Sequence, residues 1–399
     1  MRLLLAGLVI VSHAFPLGGF GPDPTGFLTH SQVNIGFLAL LAFFVLSGYL
    51  ITDSMRRTNV LTFLWHRGLR ILPAFWVVLV FGAVVVGPLA WTLERGSIAG
   101  YWSLADGGPV TYLLRNFSTY IGQFGIHDIF LGTPYGQMVN RSAINGSIWS
   151  LYFEMRLYLT IAVLGWLKVL NRARWLVPLG AVAAIAATQL VDRVPALVPV
   201  IHGVFGPGWG PRLAAVFLLG ASAALYSEEL ILDARLAGLG AIAVVVTLAV
   251  GGFAVVGCVG YAYLIVWLCL RPPRWSWRVA SKNDISYGLY LYAFPIQVLL
   301  TVIGVPKLGL LPYIAVTVLV TAPLAIASWL LVERPALRLK NRGPGRRAAE
   351  VRLAGPAHEL LEDRGGVGQQ RDLVLEGGGR GSIAGVVENP TAGLTDRVG

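Results

Sequence analysis

The chain is short of charge. Only 13% of its 399 residues are Asp, Glu, Lys or Arg, about half the roughly 25% of a soluble chain. With 56% hydrophobic residues and a mean hydropathy of +0.69, this shortage excludes an ordinary soluble enzyme and indicates an integral membrane protein. Cysteine is scarce as well. Cys258 and Cys269 share one apolar segment and read as buried thiols, not as a disulfide or metal site. No His-Glu-x-x-His run or cysteine pair supports a metal. No small-residue cleavage site marks the first apolar segment as a secretory signal. The abrupt Met-Arg opening leads us to expect a few further residues before it. No internal repeat and no second globular domain is visible.

What the chain does have is apolar runs near the ~20 residues needed to cross a bilayer. Ten are expected as spans: Leu3–Phe20, Val33–Ile51, Ile71–Ala90, Ile148–Leu167, Trp175–Val191, Pro211–Tyr226, Leu236–Gly251, Phe253–Leu270, Ile285–Val305 and Leu311–Val332. The fold class is therefore an all-α bundle of about ten transmembrane helices over residues 1–340. The tail from Asn341 to Gly399, rich in Gly and charge, is expected to be a disordered cytoplasmic segment. Arginine and lysine set the orientation. Arg56, Arg57, Arg67 and Arg70 fall on one side with Lys168, Arg172, Arg174, Arg271, Arg274, Arg278 and Lys282, so both termini are expected in the cytoplasm of a multi-pass cell-membrane protein. The acidic stretch Tyr226–Arg235 does not help this assignment. The net charge of +11 is then topological, and no basic module suggests nucleic acid. Trp91–Ser147 is a long outer connection, of a length that usually carries function or small elements of its own.

Three ionisable groups stand out. Arg2 and His13 are eleven residues apart, which returns a helix to nearly the same face about 16 Å along its axis. Intramembrane ionisable groups are functional candidates, and a neutral imidazole suits proton abstraction near neutral pH. The alternative is a core histidine bonded to a neighbouring helix carbonyl. Glu154 lies about 9 Å below the outer end of its span, close to the depth of His13. It is placed to orient that imidazole and stabilise the imidazolium, or else to pair structurally with Arg156 or Arg212. Ser150 and Tyr158 share the face of Glu154. His30, His66, His127 and His202 show no convincing partner spacing. Asn116, Asn140 and Asn145 match the N-glycosylation triplet, which arises often by chance.

Several separated stretches carry a resemblance. These are Arg2 with His13; Phe43-Phe44-Val45-Leu46-Ser47-Gly48-Tyr49-Leu50-Ile51; Arg67-Gly68-Leu69-Arg70-Ile71-Leu72-Pro73; Trp149-Ser150-Leu151-Tyr152-Phe153-Glu154 followed by Tyr158; Ser286-Tyr287-Gly288-Leu289-Tyr290-Leu291; and Glu333-Arg334-Pro335. In this order the chain resembles the acyltransferase 3 family of multi-pass membrane acyltransferases, which modify sugars and other hydroxyl compounds. The departure is Ala293, where many members place a histidine, and this shifts the weight onto His13. The resemblance implies an O-acyltransferase moving an acetyl or other short acyl group from acyl-coenzyme A to a carbohydrate hydroxyl. Acyl-coenzyme A is the co-substrate, with no cofactor held permanently. His13 is the expected general base, with Glu154 beside it. Arg2, Arg67, Arg70 and Ser47 are the expected donor contacts, and Trp149, Ser150, Tyr158 and Tyr287 the substrate contacts. Arg67 and Arg70 could instead anchor helix ends in headgroups, and Ser47-Gly48 could serve only helix packing. A secondary transporter and an acyl-passing subunit that needs a partner transferase are the competing functions. On the leading reading, His13 and Glu154 should face one interior cavity with a passage to the arginines.

Overall fold

Each of the ten apolar runs forms a helix in the computed structural model, which describes residues 1–271 and 284–343, all within one compact unit. The expected tail otherwise lies outside the described residues. In chain order the long helices are α1 (Arg2–Gly18), α2 (Ile35–Arg57), α3 (Val60–Arg95), α4 (Trp149–Trp166), α5 (Leu176–Leu190), α6 (Gly210–Leu225), α7 (Ala234–Val250), α8 (Phe253–Leu270), α9 (Ser286–Ile303) and α10 (Leu310–Arg338). No strand occurs among the described residues.

Local chemistry sets the ends. Asn34 and Asn59 cap α2 and α3, each side chain accepting from a backbone N–H three residues on at 2.8 Å, the preferred role of asparagine at a helix start. The sharp return from α7 to α8 uses Gly251 and Gly252 at φ 101° and 92°, a conformation that side-chain-bearing residues rarely adopt.

Five helices, α2, α3, α8, α9 and α10, are long and apolar enough to cross a membrane. The count becomes six if Pro195–Phe205 and α6, bent by 49°, are one broken span. This falls short of the expected ten for physical reasons. The α1, α5 and α7 helices are apolar but have only 17, 15 and 17 residues, and at 1.5 Å per residue even the longest reach only about 26 Å. Helix α4 carries Glu154 and Arg156. Burial separates centre from rim: 67% of the apolar windows of α2 and α9 is buried, against 28% for α10. Outward faces keep Leu319, Leu331, Val245 and Val182 exposed, as a lipid-facing surface would.

The centre depends on one close crossing. A Cβ added at Gly48 of α2 would lie 1.9 Å from the Phe217 carbonyl oxygen of α6. One added at Gly220 of α6 would lie 2.1 Å from the Val45 carbonyl oxygen of α2. The Ser47-Gly48 pair thus divides its labour: Gly48 serves packing, and Ser47 turns to the site described below. The connection 91–147 carries its own short helices, Pro109–Arg115 and Pro134–Val139, and buries Tyr101, Tyr112, Ile126, Ile129 and Phe130 against α3. His127, expected without a partner, bonds the Tyr101 carbonyl at 2.9 Å and packs on Trp91. Asn116 is fully buried in bonds to Gly122 and Gln123, and buried Asn145 donates to the Leu291 carbonyl. Neither side chain is free to carry a glycan.

Candidate active site

Two cavities enter the bundle from opposite ends of α1 and α2. The first, of about 400 Å³, lies where Arg2 of α1, Arg67 and Arg70 of α3, and Lys340 just after α10 converge. Its wall also holds Ser47, Ser150, Glu154, Tyr158, Asp284 and Tyr287. Asp284, just ahead of α9, accepts from Arg70 at 2.5 Å and from Arg2 at 3.2 Å, so one carboxylate gathers two arginines from different helices. Burial works against ionisation of Asp284. Arg70, Ser286 and Arg2 outweigh it, and the carboxyl is held below the usual aspartate range. Arg70 also reaches buried Glu333 at 3.6 Å and packs over Tyr287 and Trp329.

Arg67 is the less satisfied cation. Its guanidinium donates to Ser54 at 3.3 Å, but its Nε is buried with no hydrogen-bond partner. Glu154 is held by Ser47 at 3.1 Å and by the Tyr158 hydroxyl. The alternative pairings do not form. Arg156 bonds Tyr152 and the Gly203 carbonyl, and Arg212 bonds the Gln32 carbonyl.

The second cavity, of about 420 Å³, is lined by His13 and Ser12 of α1, Asp23, Gln32 and Asn34 of the following loop, Ser147, and the indoles of Trp149 and Trp209. His13 meets Phe294 edge-on at 5.7 Å. Among the described residues neither of its ring nitrogens has a hydrogen-bond partner. Asp23, only 7% exposed, is the charged neighbour of the imidazole. Its carboxylate is fixed by Ser12 Oγ at 2.5 Å, Thr25 N at 2.9 Å and Thr25 Oγ1 at 2.7 Å. The loop after α1 can fold back this way because Gly19 and Gly21 take φ 80° and 88°. Ala293 lines neither cavity.

The structure brings Arg2, Arg67, Arg70, Ser47, Ser150, Glu154, Tyr158 and Tyr287 together on the first cavity, and His13 and Trp149 on the second. The expectation that His13 and Glu154 share one cavity is corrected. Similar depth on two helices does not fix the direction a side chain faces, and here Leu40 and Tyr290 stand between, lining both spaces. Asp23, Asp284 and Tyr290 were missed. Asp284 makes its ion pairs across 282 and 214 residues, a convergence no local pattern reveals. Asp23 had a signal: it is the only acidic residue in the connection between the first two apolar runs.

The fold and site define a membrane-embedded helical protein with a cationic cavity at one end and a histidine-bearing cavity at the other. The acyltransferase 3 family, described as an acyltransferase domain, matches residues 1–333, and the chain belongs to that family. It is 28% identical to an "O-acetyl transferase" of Shigella phage Sf6 over 352 residues, 84% of this chain and 93% of that one. It is also 26% identical to "Nodulation protein 10" of Rhizobium leguminosarum bv. viciae over 369 residues, 87% of this chain and 94% of that one. No solved structure matches the chain. The protein is an acyltransferase.

Proposed function

We propose that this acyltransferase takes an acetyl or other short acyl group from acyl-coenzyme A on the Arg67–Arg70 side and delivers it to a carbohydrate hydroxyl on the His13 side. The observation that carries this reading is the pair of cavities meeting at a shared wall. The first offers cations at its mouth, including an arginine with a free buried donor, to phosphate oxygens. The second offers an unpartnered imidazole and indole faces suited to a sugar. His13 acts as general base, and Asp23, its charged neighbour, takes the imidazolium-stabilising part first given to Glu154. Glu154 belongs to the donor side, where Ser47 and Tyr158 hold it.

On this reading the termini are cytoplasmic, and the shorter apolar helices complete a bundle of about ten spans. Sealed vesicles with labelled acetyl-coenzyme A on the arginine side and a glycan acceptor confined to the other side test it. Label should appear in the acceptor across the membrane. Acylation only of acceptor placed on the same face as the donor would replace this reading with same-side transfer.

A further inference from the structure

Resting on the reading just given, donor and acceptor must meet where the two cavities meet, and Leu40 and Tyr290 line both. Leu40 is apolar. Tyr290 therefore brings the one polar group of this shared wall. Its hydroxyl sits between a residue of each cavity. It donates to the carbonyl of Ser147, which lines the His13 cavity, and bonds Ser150 Oγ, which lines the arginine cavity, at 2.6 Å. The ring packs on Phe43 of the donor cavity at 6.4 Å. We infer that Tyr290 is a catalytic residue of the transfer step, a swinging partition whose hydroxyl leaves the Ser147 carbonyl to hold the thioester carbonyl oxygen.

The step balances. The acceptor oxygen attacks the thioester carbon as His13 takes the hydroxyl proton. The carbonyl π electrons move onto oxygen, where the Tyr290 hydroxyl donates a hydrogen bond to the developing oxyanion. The oxyanion then collapses, the C–S bond breaks, and the thiolate leaves with the proton that His13 held. Tyr290 is neither consumed nor ionised. In the resting arrangement the same ring separates the spaces and keeps water of the acceptor cavity from the thioester. Such a donor serves the transition state more than the ground state, which is the condition for accelerating chemistry.

The experiment compares Tyr290→Phe and Tyr290→Ala with the wild-type protein in vesicles, measuring acetyl transfer and acetyl-coenzyme A hydrolysis separately. Tyr290→Phe keeps the partition and removes the hydroxyl. Its kcat for transfer should fall about 10²–10³-fold, the usual effect of losing one oxyanion donor, with the donor KM near wild type and hydrolysis no higher. Tyr290→Ala should lose transfer and raise hydrolysis per transfer event. A Tyr290→Phe protein that is well folded in detergent and retains wild-type kcat overturns the inference. So does a loss that appears in the donor KM alone. A wild-type protein that transfers nothing from any acyl-coenzyme A overturns the functional reading itself, and is recognised as such before any variant is compared.

Discussion

Replacing Gly48 by alanine should loosen the bundle at the point that positions the donor cavity. The added Cβ would stand 1.9 Å from the Phe217 carbonyl oxygen and 3.0 Å from the Ala221 nitrogen. A tolerable carbon–oxygen approach is about 3.3 Å, so α2 and α6 must part by roughly 1.4 Å. Both obstructing atoms are backbone, and no rotamer change relieves them. Overpacking costs about 1–3 kcal/mol, and rigid backbone on both sides puts this case near the upper figure. Gly7→Ala is the matched control. A Cβ at Gly7 of α1 meets nothing within 4 Å, so that variant should gain about 0.5–1 kcal/mol from helix propensity alone. In detergent the unfolding midpoint of Gly48→Ala should drop by about 4 °C, while that of Gly7→Ala stays level or rises. The loss should reach the site too, because neighbouring Ser47 donates to Glu154 at 3.1 Å. A Gly48→Ala midpoint within about 1 °C of wild type would refute the reasoning, since it would mean that the crossing yields without cost.

Four further substitutions test the site. His13→Ala should leave expression and the unfolding midpoint near wild type and abolish transfer, and retained transfer in a glycan assay would remove His13 from the chemistry. Arg67→Ala and Arg70→Ala should raise the donor KM about tenfold or more, as expected for a lost charge-assisted bond, with little change in acceptor KM. Unchanged donor kinetics in both would return them to anchoring helix ends. Asp284→Asn should weaken the gathering of Arg2 and Arg70 and lower the midpoint at neutral pH. The native carboxyl is depressed in the folded state, so its contribution is complete above about pH 4 and is lost as pH falls through its lower folded value. The wild type and Asp284→Asn should therefore converge in stability only in acid, and a gap independent of pH would show that charge is not the cause.

Helices were legible in the sequence because apolar runs bounded by Asn, Gly and Arg dictate them, and all ten runs formed one. The number that cross was not, because a run can be apolar and still too short, as α5 shows with 15 residues. The grouping of Arg67 and Arg70 follows from three residues on one helix. That Arg2 joins them does not, because it needs Asp284 from the far end of the chain. The spacing of Arg2 and His13 gave depth along one helix, and counting along α4 gave depth for Glu154. Which cavity each faces is set by the rotation of α1 and α4 within the bundle, a tertiary quantity with no trace in either count. Tyr290 lay inside a recognisable motif, but its place at a shared wall needs both cavities to be seen.

The ties between α1 and α9 bear on how a passage could open. They are linked at three levels: Arg2 to Asp284 just ahead of α9 at 3.2 Å, and within α9 Gln297 Nε2 to the Ile10 carbonyl at 3.0 Å and Thr301 Oγ1 to the Leu17 carbonyl at 3.0 Å. A transporter that alternates access by rocking one group of helices against another would have to break such ties if they crossed its moving boundary. A buried hydrogen-bonding group left unsatisfied costs about 1–3 kcal/mol, and a charged one more. Moving the Tyr290 ring gives up only its bonds to Ser147 and Ser150, and a substrate oxygen can replace them. The cheaper motion is that of the side chain. That motion is the one the proposed acyl transfer needs, which favours group transfer over transport for this bundle.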